Sequence, residues 1–477
     1  MVESIIGLPL LAGIVAYSLP KKIGQWVVLC TGILHLVLTC LLWHFQSTPL
    51  FYPYLAITSE GLIVLLITSC LFVLTASYMI SFMAIVDVPS TSVFTAAMLC
   101  FLSTMSMVAL ADHFMVFWIA IEATTLSSAP LIFIYRTRKS LEATLKYLVI
   151  CSVGIALALL GSLLIRVSTE LCDKTIPFTF SHIIPIAKSL DIKWLKAGFI
   201  FILVGYGTKM GIAPMHTWLP DAHSESPSPV SALLSGALLN CAYLGIFKCH
   251  KVLYAAGIGS FSGTLLIVFG LISMLVATIF IIKQTDYKRL LAYSSIENMG
   301  IIAFGTGVGG LAAYGAMLHL IYHAFIKSSL FLCSGNILIE FGTKQIEKIT
   351  YMTQRLPKTS IAFFAGVLGI SGFPPFGIFL SKLFIILGTF QKGYYIYASI
   401  FLFIICVLFA GLLKYAMIIC FNESDQTTEP KFYKAESYAM VWQVILMLTI
   451  SVLLCFWMPS PLSSTILQAV APIGGGH

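Results

Sequence analysis

Charged residues are scarce in this 477-residue chain, in which 10% of the residues are charged and 59% are hydrophobic. Soluble globular domains carry about 25% charged residues, so this scarcity excludes a soluble fold and indicates a chain that faces lipid over most of its surface. The net charge of +8 does not indicate nucleic acid as a partner, because the Lys and Arg residues are spread over short loops rather than gathered in a patch.

Ligand motifs are also missing from the sequence. The twelve cysteines stand singly, and neither a CxxC pair nor a Cys/His spacing typical of metal sites occurs. We therefore expect no metal, no iron–sulfur cluster and no other bound cofactor, since no motif for flavin or quinone is recognisable. The apolar segment 5–19 lacks a preceding basic region and is followed by Lys21 and Lys22, which predicts a first spanning helix rather than a cleaved signal peptide.

Apolar runs of about twenty residues, the length that spans a bilayer, are abundant. They predict an all-α integral membrane protein of about fourteen transmembrane helices. The predicted spans are 4–19, 25–44, 61–84, 93–110, 113–134, 144–166, 196–211, 228–249, 262–282, 289–306, 310–338, 359–390, 394–420 and 437–458.

Loop charges predict the orientation of these spans, because cytoplasmic loops are enriched in Lys and Arg. The more basic set of loops holds Lys21, Lys22, Arg136, Arg138, Lys139, Lys146, Lys283, Lys288, Arg289, Lys344, Lys348, Arg355, Lys358, Lys414, Lys431 and Lys434. The opposite loops hold Arg166, Lys174, Lys188, Lys193, Lys196, Lys248, Lys251 and Lys392. This bias predicts that both termini lie outside a bacterial or archaeal cell membrane, although the long segment 167–195 places several lysines on the outer face.

Proline and glycine interrupt two of the predicted spans, within 207–229 and 369–382. Proline removes a backbone donor and clashes with the preceding turn, so we predict non-helical breaks at 211–217 and 372–378. Unwound backbone at membrane depth is tolerated only where protein or water surrounds it. We therefore expect both breaks near the middle of the membrane, beside functional side chains.

The two breaks fall in the seventh and twelfth spans, five spans apart, which indicates a pair of repeats as found in transporters. Because five is odd, the second repeat would be inverted in the membrane. The predicted organisation is an N-terminal group of three helices at 1–92, a first repeat of helices 4–8 at 93–250, a second repeat of helices 9–13 at 251–420, and a C-terminal helix within 421–477.

Glu122 and Lys209 are charged residues inside predicted spans. Such residues normally face the bundle interior and mark ion pathways, so we expect Glu122 to lie within ion-pairing or single-water reach of Lys209. A lysine can release its proton when buried, whereas an arginine does not. The alternatives are a purely structural ion pair and, for Lys209, a side chain that reaches the membrane surface.

His319, His323 and Lys327 recur at four-residue spacing, which puts them on one helix face about 6 Å apart per step. Histidine accepts and donates protons near neutral pH, so this stripe predicts a proton relay. Metal binding is the rival interpretation, which the absence of Asp, Glu or Cys on that face disfavours. Lys382 follows the second break, and its partner must come from another helix.

Other polar residues lie near these groups. Glu297, in the first turns of its predicted helix, is either a structural group or a proton entry point. His216, Asp221, His223 and Glu225 accompany the first break and form either an entry or exit route or local turns and caps.

Three sequence motifs identify a family. The segments KMGIAPMHTWLPDAHSESPSPVSALLSG, QTDYKRLLAYSSIENMG and HLIYHAFIKSSLF resemble the antiporter-like membrane subunits of respiratory complex I, of Mrp cation/proton antiporters and of group 4 membrane-bound nickel–iron hydrogenases. The resemblance covers most of the chain, most clearly about residues 60 to 390. It is strongest to the component F branch of hydrogenase-4.

The resemblance implies two inverted five-helix repeats that each form a half-channel. It also implies that Glu122 is the family's acidic residue on helix 5, that Lys209 is the lysine of broken helix 7, and that Lys382 is the lysine of helix 12. His319, His323 and Lys327 match the central relay of helix 11. Asn240 departs from the pattern, because many relatives have Lys or His there, so water would have to bridge the relay at this point.

The expected function is proton translocation by a non-redox subunit of a multisubunit membrane oxidoreductase, driven by redox chemistry in other membrane subunits. One alternative is a cation/proton antiporter or inorganic-carbon uptake subunit that moves H⁺ or Na⁺ without a redox partner. Another is a structural arm subunit that no longer conducts, which Asn240 alone supports.

Overall fold

The computed structural model describes residues 1–45, 49–172, 176–422 and 436–474. Lys174, Lys431 and Lys434, used above for orientation, lie outside these ranges. The described residues form no β-strand beyond three isolated bridges. Their α-helices are α1 (Val2–Ser18), α2 (Lys21–Phe45), α3 (Ser59–Ile85), α4 (Thr91–Leu110), α5 (Phe114–Ile132), α6 (Arg138–Glu170), α7 (Phe180–Ile183), α8 (Ile192–Met210), α9 (Trp218–Glu225), α10 (Ser228–Leu233), α11 (Leu239–Ala255), α12 (Gly259–Ile282), α13 (Tyr287–Val308), α14 (Gly310–Phe341), α15 (Met352–Arg355), α16 (Pro357–Ser371), α17 (Gly377–Gln391), α18 (Tyr395–Phe421), α19 (Trp442–Phe456) and α20 (Ser460–Val470).

Nine helices in the described part of the chain are long and apolar enough to cross a membrane. They are α2, α3, α4, α5, α6, the continuous segment Ser228–Ala255, α12, α14 and α18. The other five predicted spans also coincide with helices. Three of the five fail the test of length: α1, α19 and the pair α16 and α17. The other two, α8 and α13, are long enough but carry several charged residues. The chain is therefore an all-α integral membrane protein, as the sequence predicts.

Both predicted helix breaks are confirmed. Helix α8 ends at Met210 and α9 begins at Trp218. At the second break, α16 ends at Ser371 and α17 begins at Gly377, two residues before the predicted end of the break. Gly211 (φ +82°) and Gly372 (φ +92°) end the first half-helices in the left-handed conformation that glycine adopts without steric cost.

Protein groups satisfy the unwound backbone of the first break, as burial requires. The Ala213 amide donates to Ser273 Oγ on α12 at 2.9 Å. The Thr208 carbonyl accepts from Trp218 Nε1 at 2.8 Å, which ties the two half-helices together across the break.

Two helical segments form the centre of the bundle. The apolar windows of Ser228–Ala255 and α14 are completely buried, whereas those of the peripheral helices α2 and α18 are one-third buried. Residues Leu234–Leu238, which join α10 to α11, form a π-helical turn. Gly236 in that turn leaves no room for a Cβ atom against Ala324 and Ser328 of α14, so the two central helices approach closely.

The C-terminal region differs from the prediction of a single final helix. After α19 the chain bends by 76° into a second helical segment, Ser460–Ile473. This segment is short, with Pro461 in its first turn, and it therefore lacks the long apolar run from which spans are recognised in a sequence.

Candidate functional site

Lys209 lies at the last turn of α8, immediately before the first break, and is completely buried. Its Nζ donates to Thr125 Oγ1 at 2.7 Å and to Tyr147 OH at 2.5 Å. The Tyr147 ring centroid lies 4.6 Å from the same nitrogen. The ammonium is thus held by two hydroxyl groups, from α5 and α6, and by an aromatic ring.

Glu122 is not in direct contact with Lys209, although direct contact is one of the two arrangements that the sequence allows. Its Oε1 accepts from Ser152 Oγ at 3.0 Å, and its buried Oε2 has no hydrogen-bond partner among the described residues. The two charges interact electrostatically at longer range. The physical reason is that Thr125, about one turn further along α5, binds the ammonium instead, so a bridging water between the two charges stays a prediction.

Lys382 on α17 finds its partner on α13, where Glu297 Oε1 lies 3.4 Å from its Nζ. Both side chains are buried. Lys382 also donates to the carbonyl of Ser371, the last residue before the second break, at 3.1 Å. Glu297 is therefore a deeply buried member of the second cluster, and not the shallow group that its position near the helix start allowed.

The two histidines of α14 are completely buried but differ in their contacts. His319 Nδ1 lies 2.9 Å from Ser381 Oγ, and its Nε2 lies 2.8 Å from Asn298 Oδ1. Asn298 also donates to Glu297 Oε2 at 3.2 Å. One turn away, neither ring nitrogen of His323 has a hydrogen-bond partner in the part of the chain that the structure describes.

Lys327 completes the stripe at the α13 interface. Its Nζ donates to Ser294 Oγ at 2.6 Å and to the Leu291 carbonyl. Glu297 interacts electrostatically with Lys327 as well as with Lys382. Glu297 therefore contacts Lys382 directly, whereas the Lys327 ammonium is held by neutral oxygen acceptors.

Asn240 lies on α11, which packs against α8, while the π-helical turn just before it packs against α14. It is completely buried and donates through Nδ2 to the Gly236 carbonyl at 2.8 Å. Its Oδ1 accepts no hydrogen bond from any described residue. Asn240 is therefore a neutral polar group with a vacant acceptor, about one turn after the residue at which the central segment meets α14.

Two further histidines are also buried, His216 within the first break and His223 in α9 after it. His216 packs near the rings of Phe280 and Tyr293, with centroid distances of 6.4 and 6.3 Å. His223 stacks on Phe331 of α14 at 4.9 Å, and its ring nitrogens lack partners within the described ranges. Local turn or cap contacts therefore do not account for His223.

Asp221 and Glu225 lie at one end of the bundle in an open charged cavity of about 310 Å³, which we call the vestibule. Its charged lining residues are Lys139, Glu142, Lys146, Asp221, Glu225, Asp286 and Arg289. Asp221 pairs with Lys146 at 3.1 Å and with Arg289 at 3.3 Å, and Glu225 pairs with Lys344 at 2.9 Å.

Two lysines that the sequence reasoning assigns to loops, Lys288 and Lys248, are buried. Lys288 donates to the Ser226 carbonyl at 2.8 Å, beneath the vestibule. Lys248 donates to the Ala111 carbonyl at 2.6 Å, at the opposite end of the central segment. Lys248 falls on the last turn of the predicted span 228–249, which was the signal that it belongs to the helix, and the helix continues beyond it to Ala255.

No group of three or more His, Cys, Asp or Glu side chains among the residues described is arranged to hold a metal ion. The site consists instead of isolated ionisable groups joined by hydroxyls, amides and short gaps. Such an arrangement can bind and release protons without a cofactor.

The fold matches solved membrane complexes over nearly its whole length. The chain superimposes on a subunit of the archaeal membrane-bound sulfane sulfur reductase with a TM-score of 0.87 and 21% identity, covering 99% of this chain and 98% of that one. For the Mrp complex of Dietzia sp. DQ12-45-1b the TM-score is 0.86, with 18% identity and coverage of 99% and 97%. For respiratory complex I of Thermus thermophilus the TM-score is 0.76, with 21% identity and coverage of 95% and 97%.

Sequence relatives cover less of the chain. It is 40% identical over 316 residues to the hydrogenase-4 component F homolog of Methylacidiphilum infernorum, an alignment that spans 66% of each protein. It is 30% identical over 341 residues to hydrogenase-4 component B of Escherichia coli K12, across 69% of this chain and 50% of that protein. The chain thus spans about two thirds and one half of the lengths of these two relatives.

Residues 111–407 match the family described as NADH:quinone oxidoreductase/Mrp antiporter, transmembrane. This match covers more than half of the chain and includes Glu122, both helix breaks, the α14 stripe and Lys382. The chain belongs to the NADH:quinone oxidoreductase/Mrp antiporter transmembrane family.

Proposed function

We propose that this chain is the proton-translocating, antiporter-like subunit of a multisubunit membrane oxidoreductase of the hydrogenase-4 or complex I type. It carries out no redox chemistry itself, and its partners are the other membrane subunits, lipid and the translocated protons. In this proposal the repeats at 93–250 and 251–420 each provide a half-channel, and both termini lie outside the cell membrane.

The observation that carries this proposal is the set of buried ionisable side chains beside both broken helices. An ionisable residue inside a membrane protein costs about 3 kcal/mol on insertion scales, and the chain holds several of them. Lys209, His319, His323, Lys327 and Lys382 are all buried. Helix packing alone does not require buried ionisable side chains, so their free-energy cost indicates a function.

The first cluster is suited to hold and release one proton. Thr125 and Tyr147 accept hydrogen bonds from the Lys209 ammonium, whereas Glu122 remains out of contact with one vacant oxygen. A rearrangement that brings Glu122 to Lys209 would stabilise the protonated lysine, and its withdrawal would favour release. The hydroxyls keep the ammonium in place between these states.

The second cluster supplies the rest of the path. Glu297, Asn298 and His319 connect Lys382 to the α14 stripe through direct contacts. His323 lies between His319 and Lys327 with both nitrogens free among the described residues, so it can accept a proton from either neighbour through water. Asn240 then requires water to connect this stripe with Lys209.

Proton uptake in this proposal uses the vestibule. His223 and Lys288 are both buried. His223 stacks on Phe331, about one turn from Lys327 on α14, and Lys288 donates to the Ser226 carbonyl next to the vestibule. His223 and His216 are therefore proposed members of the entry route, whereas the ion pairs of Asp221 and Glu225 shape its mouth.

A second candidate function is cation/proton antiport driven by ion gradients alone, favoured by the close fold match to the Mrp complex. Genes for hydrogenase or iron–sulfur subunits beside this one support the redox-driven reading, and genes for other Mrp or carbon-uptake subunits support antiport. A non-conducting structural arm is the third candidate.

The Lys327→Ala variant tests the proposal. In the purified and reconstituted complex we expect proton translocation to be abolished, while native gels show intact assembly and the redox activity of other subunits persists. The exposed Lys348→Ala is the matched control and should pump normally. Unchanged translocation in Lys327→Ala would remove the proposal and leave the structural arm in its place.

A further inference from the structure

Four charged groups at the end of the bundle opposite the vestibule, three of them buried, take no part in the relay described above. Glu60 lies in the first turn of α3, Asp112 lies between α4 and α5, and Lys248 and Lys251 lie near the end of α11. We call these four residues the far-end network. Glu60, Asp112 and Lys248 are each less than 5% exposed.

The contacts in the far-end network are incomplete. Lys251 pairs with Glu60 at 3.0 Å, but Lys248 donates to a neutral backbone carbonyl, that of Ala111, at 2.6 Å. Asp112 Oδ2 accepts from Ser181 Oγ at 2.5 Å, whereas its buried Oδ1 has no partner among the residues that the structure describes. Glu60 and Asp112 both interact electrostatically with Lys248.

A structural ion pair between two helices would explain the contact between Glu60 and Lys251, but it would not explain Asp112 and Lys248. A buried carboxylate oxygen without a donor is costly. The Lys248 ammonium faces a neutral carbonyl and the Phe117 and Phe180 rings, whose centroids lie 5.8 and 5.3 Å away, rather than a carboxylate in direct contact. Both features are expected of groups whose protonation changes.

Helix α11 connects this network with the relay. Asn240 and Lys248 are eight residues apart, which corresponds to about 12 Å along the helix and about 80° around it. Tyr243 lies at an intermediate height on another face of α11, where its hydroxyl contacts Thr306 Oγ1 of α13 at 2.7 Å. The side of α11 that carries Asn240 and Lys248 therefore runs from the centre of the bundle to its far end.

We propose that the far-end network is a proton release site that receives protons from the Asn240 region. In the release step an N–H bond of the Lys248 ammonium breaks and an O–H bond forms on Asp112, directly or through one water. The Asp112 carboxylic acid then gives the proton to solvent at that face, and Lys248 takes up the next proton from water on the Asn240 side of α11. No oxidant or reductant is involved, and the inference rests on the proposed function.

The test compares variants of the purified complex in proteoliposomes, with redox turnover and proton translocation measured on the same samples. Lys248→Arg keeps the charge but cannot release a proton, and Asp112→Asn keeps the hydrogen bond with Ser181 but loses the acid. We expect both to reduce protons moved per turnover by roughly tenfold or more. Asp112→Glu should retain most of the activity.

The matched control is Asp191→Asn. Asp191 lies at the same end of the bundle, where its Oδ1 accepts hydrogen bonds from the Lys193 and Trp194 amides at the start of α8. This variant should pump normally. If Lys248→Arg assembles and pumps like the parent, or fails to assemble at all, the release role is wrong. Loss of pumping in Lys327→Ala together with normal pumping in Lys248→Arg would remove this inference alone, whereas normal pumping in both removes the proposed function as well.

Discussion

Lys382 and Glu297 form a buried ion pair across 85 residues of sequence, with 3.4 Å between Nζ and Oε1. The pair joins α17, the half-helix after the second break, to α13. Because both side chains are nearly inaccessible, each depends on the other for a compensating charge.

We expect Lys382→Met alone to destabilise the protein by about 3 kcal/mol, because it leaves a buried carboxylate without its partner. The double variant Lys382→Met/Glu297→Gln should recover most of that loss while remaining inactive in proton translocation. Thermal unfolding of the detergent-purified complex measures the first effect. A double variant as unstable as the single one would show that the ion pair is not the source of the loss.

His319 and His323 should respond differently to the same substitution. His319→Leu removes contacts to Ser381 and Asn298, and unsatisfied buried polar groups cost about 1–3 kcal/mol, so its melting temperature should fall. His323→Leu removes a ring with no partner among the described residues and should leave stability nearly unchanged, although translocation falls. Equal melting temperatures would contradict the contacts assigned to His319.

The contact between α6 and α8 depends on Gly205. A Cβ atom there would lie 2.5 Å from the Gly154 carbonyl oxygen and from the Ala158 backbone nitrogen, so Gly205→Ala must push the helices apart and displace Lys209 from Tyr147. We expect poor assembly on native gels. Gly7→Ala is the control, since a Cβ at Gly7 meets nothing within 4 Å, and normal assembly of Gly205→Ala would refute the close approach.

The sequence predicted the features that depend on local chemistry. Apolar run length placed the spans, and the prolines and glycines around Gly211 and Gly372 placed both breaks. Four-residue spacing put His319, His323 and Lys327 on one helix face. These signals lie within a few turns of chain, so no knowledge of packing was needed.

The partners of the buried side chains could not be predicted from the sequence. Thr125 and Tyr147, rather than Glu122, contact Lys209, because of the way in which α5, α6 and α8 are rotated against one another. Residue spacing does not specify this rotation. Glu297 was ambiguous for the same reason. Lys248 and Lys288 were assigned to loops because helix ends are uncertain by a few residues, and a few residues decide whether a lysine is inside or outside.

The π-helical turn at Leu234–Leu238 determines which way the second half of the central segment faces. Such a turn is equivalent to one residue inserted into an α-helix, and one residue corresponds to a rotation of about 100°. Every side chain that follows inherits this rotation, including Asn240, Tyr243 and Lys248. Deleting a single residue from the turn would leave the composition of the segment almost unchanged, yet it would rotate Tyr243 away from Thr306 and Lys248 away from the Ala111 carbonyl.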